Sequence, residues 1–226
     1  MLAVAFLLFR LIDESERGQA GAAIAQQHNT AHKIFREQRQ LAAAALREVA
    51  RRQRTTASIR DLRSALQDEA RGRARAQEAA ERIIEAQKEL PATRRRIRRI
   101  VFARGDKVLL HAGSRTAIAP ASAPVRSRTQ RRLGRLAISV TDAPAYARRV
   151  RALTTTDDRP GLHVVVVNGS RVLGSTLRGV DVDALRAAGT DPLTLAGVEY
   201  RVSSITDRGA FTNQNIRVFT LGSLAS

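Results

Sequence analysis

The stretch GLHVVVVNGSRVLGSTL, residues 161–177, restricts the fold more than any other part of this chain. Two runs of strand-forming residues flank Asn168 and Gly169, both of which tolerate the positive φ that tight hairpin turns demand. The pattern predicts a β-hairpin turning at Asn168-Gly169, and with it an antiparallel sheet in the second half of the chain. The first hundred residues are of a different kind, an arginine-studded, alanine-rich helical sequence that can cover a face of such a sheet.

From about residue 12 to residue 54 the helical period is explicit. Ile24, His28, Ala31, Phe35, Gln38, Ala42, Ala45, Val49 and Arg52 step by four and three, a coiled-coil-like seam widened by Ile34, Leu41 and Leu46. The seam fits a second copy of the chain or the chain's own second half. A break at RTTASIRDL places Ser58 three residues before Asp61, a variant of the capping box. Ile59, Leu62, Leu66, Ala76, Ala80, Ile83, Gln87 and Leu90 then mark a second helix that Pro91 limits, and the short connection predicts an antiparallel helix pair.

Beyond residue 96 the period changes to that of strands. Residues 97–103 and 108–112 predict a hairpin around RGDK, and residues 133–140 a third strand. SRTAIAPASAPVRSRTQRR, between them, reads as irregular. Asp142 is expected to N-cap APAYARRVRAL, with Pro144 accepted in the first turn. The opening hairpin follows, then a short helix in VDVDALRAAG with Asp181 at its start and Gly189 as its stop, then strands in GVEYRVSSI and NIRVFTLGS. No internal repeat is evident at solenoid periods. The order predicts an α+β fold, with long N-terminal helices packed on an antiparallel sheet.

The N-terminus, MLAVAFLLFRLI, is apolar apart from Arg10 and runs into DESERG without a helix breaker before Gly18. Twelve helical residues cover only ~18 Å, short of the ~20 residues a span requires. Two readings fit: the outer half of a transmembrane helix, or a buried or partner-binding helix end. The first is preferred, because the run passes into polar sequence as a membrane-exit segment does.

Charge narrows the partner classes. The 226 residues carry 39 Lys and Arg against 21 Asp and Glu, a formal charge of +18, so nucleic acid, anionic lipid and acidic ligands all need weighing. Lys occurs only at positions 33, 88 and 107, and Arg beside abundant Ala is also the residue usage of a GC-rich genome. Aromatics are 4%, few for a protein that stacks on RNA bases. The absence of Cys excludes thiolate zinc sites, thiol catalysis and disulfides.

No constellation of catalytic residues stands out. His28 and His32 share a helix face in HNTAH without an intervening acid, and read as half-exposed helix residues rather than metal ligands. His111 and His163 fall in strands and read as packed or surface residues. TRRRIRR, residues 93–99, is the densest basic cluster and reads as a solvated charge run leading into a strand. Gly-Asp in ARGDK fits turn geometry.

The order of elements resembles that of the Cache sensor domains, the extracytoplasmic PAS-like modules of bacterial receptors such as histidine kinases and diguanylate cyclases. MLAVAFLLFRLI, IVFARGDKVLLHAG, LGRLAISV followed by APAYARRVRALT, HVVVVNGSRVLGSTL and VEYRVSSI…IRVFTLGS carry the resemblance, in layout and hydrophobic rhythm over nearly the whole chain. It implies residues 1–12 as a partial transmembrane helix, 13–95 as a helical stalk and helix pair, and 96–226 as a Cache/PAS-like antiparallel sheet domain, together forming a piece of a longer receptor. It implies a non-catalytic input domain that binds a small molecule, needs no cofactor, is anchored to the membrane by its N-terminal helix and forms a homodimer through the long helix. The pocket of a PAS-like plan, between sheet and flanking elements, would draw on Arg126, Arg128, Tyr146, Arg149 and Tyr200 for cationic, hydroxyl and ring contacts. The Tyr…Arg…Tyr/Trp…Asp signature of amine-binding double Cache domains is missing, so that ligand class does not carry over. The alternative is a basic nucleic-acid-binding protein with a helical arm; for the sensor no specific nucleic-acid partner is expected.

Overall fold

The computed structural model describes residues 2–52, 72–88, 97–126, 132–157, 159–189, 191–208 and 215–224. The fold is α+β: among the described residues there are four helices and antiparallel strands. Helix α1 is Leu2–Arg52, α2 Gly72–Lys88, α3 Ala143–Thr154 and α4 Val182–Ala188. The strands are β1 Arg99–Arg104, β2 Lys107–Gly113, β3 Ala117–Ile118, β4 Ala121–Arg126, β5 Arg132–Ser139, β6 Thr141–Asp142, β7 His163–Asn168, β8 Arg171–Ser175, β9 Leu193–Leu195, β10 Val198–Arg208 and β11 Asn215–Ser223. The capping box at Ser58, the start of the second helix and the basic residues 93–96 lie outside the described residues. Residues 2–12 are helical as the start of α1, and among the described residues no helix is long and apolar enough to cross a membrane.

The strands beyond residue 96 are divided between two larger sheets and a small pair. They form a four-stranded sheet ordered β2-β1-β5-β4, a five-stranded sheet ordered β8-β7-β11-β10-β9, and a small β3-β6 pair. The chain divides accordingly into two compact units. One comprises Met1–Ile34, Ala147–Ile205 and Arg217–Ser226, the other Phe35–Tyr146 and Thr206–Ile216.

The two large sheets share a plan. In each, a hairpin is followed by a strand that returns to pair beside the hairpin's first strand. The hairpins match in detail. β1 and β2 pair Phe102 with Leu110, slip by one residue, then pair Ala103 with Val108 and Arg104 with Lys107. β7 and β8 pair Val166 with Gly174, slip by one, then pair Val167 with Val172 and Asn168 with Arg171. Each slip is a β-bulge, which adds local twist just before the turn. The turn residues are Gly105-Asp106 and Gly169-Ser170, one position later than expected for the second hairpin. The glycines have φ of 57° and 58°, and neither Asp106 nor Ser170 has a positive φ, so each turn needs its glycine only at the first central position.

In the Phe35–Tyr146 unit the buried face of the four-stranded sheet presents Ile100, Phe102, Leu110, Ala112, Leu136 and Ile138 to Ala45 and Leu46 of α1 and Ala76, Ala79 and Ala80 of α2. The alanines let the helices approach closely, and each fully buried large side chain contributes ~1.5–3 kcal/mol relative to exposure. Edge strand β2 is protected by a side chain: Gln77 of α2 donates to the His111 carbonyl at 2.6 Å and accepts from its N–H at 3.1 Å. The supposedly irregular stretch after residue 114 holds β3 and β4. Pro124 does not prevent β4 from forming because β4 is the sheet's other edge, where a missing N–H costs no ladder bond.

In the other unit Val165, Val167, Tyr200, Val202, Phe219 and Leu221 pack with Leu185 of α4. The opposite face of β11 meets α1. Gly222 lies so close to Ile24 that an added Cβ would sit 2.5 Å from Cγ2, and Thr220 bonds His28. Asp181 caps α4 as expected, accepting from the N–H groups of Asp183 and Ala184. Asp142 departs from its expected capping role: its Oδ2 faces Arg98 at 3.6 Å and its buried Oδ1 takes no hydrogen bond.

The α1 seam is buried by the chain's own residues. Ile24, His28, Ala31, Ile34, Phe35, Gln38, Ala42, Ala45 and Leu46 are all buried, whereas Leu41 is exposed.

Candidate ligand-sensing sites

The five residues anticipated for a pocket fall in different units, and their environments differ. Tyr146 is buried on α3, edge-on to Phe35 with centroids 5.8 Å apart, and burial pushes its hydroxyl well above the ordinary range. It is a core residue. Arg126, at the end of edge strand β4, is exposed, and Arg149 is exposed on α3. Tyr200 is buried on β10, its ring 5.9 Å from His163 and perpendicular to it. Arg128 lies outside the described residues.

The structure surrounds Tyr200 with residues the sequence did not single out as a group. His163 opens β7 on the same side. Its Nδ1 lies 3.4 Å from the Arg151 guanidinium, which also donates to the Thr176 carbonyl at 3.4 Å. Burial, then the Arg151 charge, lowers the His163 pKa. Further along, the Arg217 guanidinium stands 5.7 Å over the Phe219 ring. This face joins apolar walls to an imidazole, a phenol and a cation.

His28 is not the half-exposed residue that the i, i+4 spacing suggested. It is 7% exposed, and its Nδ1 lies 2.6 Å from the Thr220 hydroxyl of β11. Its Nε2 is buried with no hydrogen-bond partner. Burial first, then the positive charges of His32 and Arg201, lowers its pKa to about 4, so it is neutral at pH 7. A neutral ring can leave Nε2 as a bare acceptor, whereas a proton there would be a buried donor without an acceptor. Among the described residues no group of three or more His, Cys, Asp or Glu could hold a metal ion.

In the other unit the basic run near residue 98 is only partly solvated. Arg98 is exposed, but Arg99 is 6% exposed in the middle of the sheet. Strand alternation hides this: charges at 98 and 99 point to opposite faces, which a run-based reading averages away. Asp207 is buried as well, with Oδ1 4.0 Å from Arg39, and burial raises its pKa despite that cation.

No known family profile matches the chain, and no curated protein matches it. Among solved structures, the periplasmic domain of Vibrio cholerae LuxQ aligns at a TM-score of 0.42 with 12% identity, over 86% of this chain and 98% of that one. A selenomethionine structure of the same domain aligns at 0.38 with 11% identity, over 91% and 97%.

Proposed function

We propose that the chain is an extracytoplasmic input domain of a membrane-bound bacterial signalling protein, non-catalytic, which binds a small ligand and passes the change to α1. The observation that carries this reading is the use made of α1. A single helix of 51 residues begins in an apolar segment and is built into the core of each unit. Ile24, His28, Ala31 and Ile34 belong to the unit with the five-stranded sheet; Phe35, Gln38, Ala42, Ala45 and Leu46 belong to the other. A rearrangement of β11 must act on α1 through the Gly222–Ile24 approach and the Thr220–His28 bond. That is a physical route for coupling, provided the ligand binds two arrangements of the sheet with different affinity. The resemblance in layout to Cache domains supports the same reading.

The test is topological. The chain is produced in a bacterium with its natural coding sequence on either side, and protease is added to spheroplasts. Digestion of this region while cytoplasmic proteins stay intact is expected. Protection of this region until the inner membrane is lysed refutes the reading.

A further inference from the structure

Where β7 begins, a cation, an imidazole and a phenol meet on one face of the five-stranded sheet, all within the unit that contains Ala147–Ile205. His163 opens β7 and alternates with Val165 and Val167, which pack with Leu185 of α4. Tyr200 of β10 belongs to the same apolar cluster, and its ring stands 5.9 Å from that of His163 at 81°. Leu193 of β9, half-buried, pairs with Tyr200 and packs against the cluster beside it. Arg151 arrives from the last turn of α3, its guanidinium 3.4 Å from both His163 Nδ1 and the Thr176 carbonyl.

The main chain behind this cluster is fixed. The Arg151 carbonyl accepts from the Thr155 N–H at 3.0 Å and from the Thr155 hydroxyl at 2.8 Å. Gly161 passes so close that an added Cβ would collide with the same oxygen. Thr176 is pinned in turn: its N–H donates to the Val164 carbonyl at 2.9 Å, and its hydroxyl accepts from the Val164 N–H at 2.8 Å. The bonds set the origin of the Arg151 side chain and the carbonyl it rests on.

The side chains themselves offer donors that lack acceptors. Among the described residues Arg151 forms no ion pair, and its Nε and Nη2 make no hydrogen bond. The Tyr200 hydroxyl makes none either, although the residue is 7% exposed. His163 meets Arg151 through Nδ1, and Nε2 is a further donor when the ring is protonated or in its Nε2–H tautomer. Exposure falls from Arg151 through half-buried His163 to buried Tyr200, so the cluster opens to solvent at its cation.

We propose that Arg151, His163 and Tyr200 form a sensing site that takes a small oxyanion, a carboxylate or a phosphate group. The assignment rests on the sensing function proposed above and names its ligand class. The unused side of the guanidinium fork matches two oxygens of such a group, while the Tyr200 hydroxyl and His163 Nε2–H complete the set of donors. The bound anion also offsets the Arg151 charge, which together with burial holds the His163 pKa down.

The test is thermal unfolding of the full chain at pH 7 and fixed ionic strength, with acetate, inorganic phosphate and acetamide as probes and sodium chloride as the control. Acetate, phosphate or both should raise the melting temperature saturably, and the comparison between them separates the carboxylate and phosphate sources. Acetamide, the uncharged counterpart of acetate, should not. Arg151→Gln, at an exposed position, should raise the half-saturating concentration at least tenfold. Tyr200→Phe, which keeps the ring against His163, should raise it severalfold, and Arg171→Gln should leave it unchanged. In the unsubstituted protein the His163 titration midpoint, followed by NMR, should rise when the same anion saturates. A rise in melting temperature no greater than with chloride, an equal response to acetamide, a response undiminished in Arg151→Gln or an unmoved His163 midpoint overturns the assignment. The protease experiment on spheroplasts is independent of these probes, so a failed site and a failed sensing reading are told apart.

Discussion

Lowering the pH tests the packing of α1 on β11 through His28. In the unfolded chain an imidazole takes its proton near pH 6.5, whereas in the fold His28 takes it at about 4. The unfolded state therefore binds more protons throughout that window, and stability falls as the pH drops from about 6.5 to about 4, with no further loss from this group below. Each pH unit of separation is worth ~1.36 kcal/mol, so the full loss is about 3 kcal/mol, and about 2 kcal/mol of it is present at pH 5. His28→Gln keeps a group able to bond Thr220 and removes the titration. Urea unfolding of both proteins at pH 7 and pH 5 isolates the term. His111, His163 and Asp207 also titrate abnormally, but they are common to both proteins and cancel in the difference. The wild type should lose about 2 kcal/mol more than the variant between these pH values. Equal losses, or a His28 titration midpoint near 6.5 by NMR, would refute the reasoning.

Three further outcomes are expected. Gly169→Val, which forces a β-branched residue to a φ of 58°, should cost ~1–2 kcal/mol and lower the melting temperature, while Ser170→Val should cost less because Ser170 has no positive φ. Gly222→Val should destabilise by ~1–3 kcal/mol through its clash with Ile24, and Ile24→Ala in the same chain should recover part of that loss. Nucleic acid titrated at ~0.15 M salt should bind no more tightly than the ~10⁻⁴–10⁻⁶ M of non-specific contact, whereas sub-micromolar binding abolished by changes within residues 94–99 would favour the nucleic-acid reading.

What was legible in the sequence is what local rules encode. The α1 stripe, both hairpins, the Asp181 cap and the α+β class follow from period and turn chemistry. The division into two sheets does not, because alternation marks which side of a strand is buried and not which strand lies beside it. β11 inserts between β7 and β10, a pairing no local signal announces. β4 was hidden by Pro124, whose acceptability depends on β4 being an edge. The Gly169-Ser170 turn was displaced by one residue because the bulge after Val166 changes the register. The sites were harder still. Tyr146 reads as a pocket residue until Phe35 is found against it. Arg151, His163 and Tyr200 meet only through the placing of α3 and β10 beside β7, and His28 becomes a core residue only when Thr220 arrives from 192 positions away.

That β11 is central to its sheet has a consequence for how the protein is made. The four-stranded sheet has all its strands once Ser139 has been synthesised. The five-stranded sheet lacks its middle until Ser223, which at ~5–20 residues per second comes ~4–17 s later. During that interval β7–β8 and β9–β10 can only be two unjoined ribbons, and Ile24 and His28 on α1 have neither Gly222 nor Thr220 to cover them. A nascent chain halted before residue 215 would thus hold one finished sheet and one open one with two bare strand edges, the form on which a holdase chaperone would be expected to act.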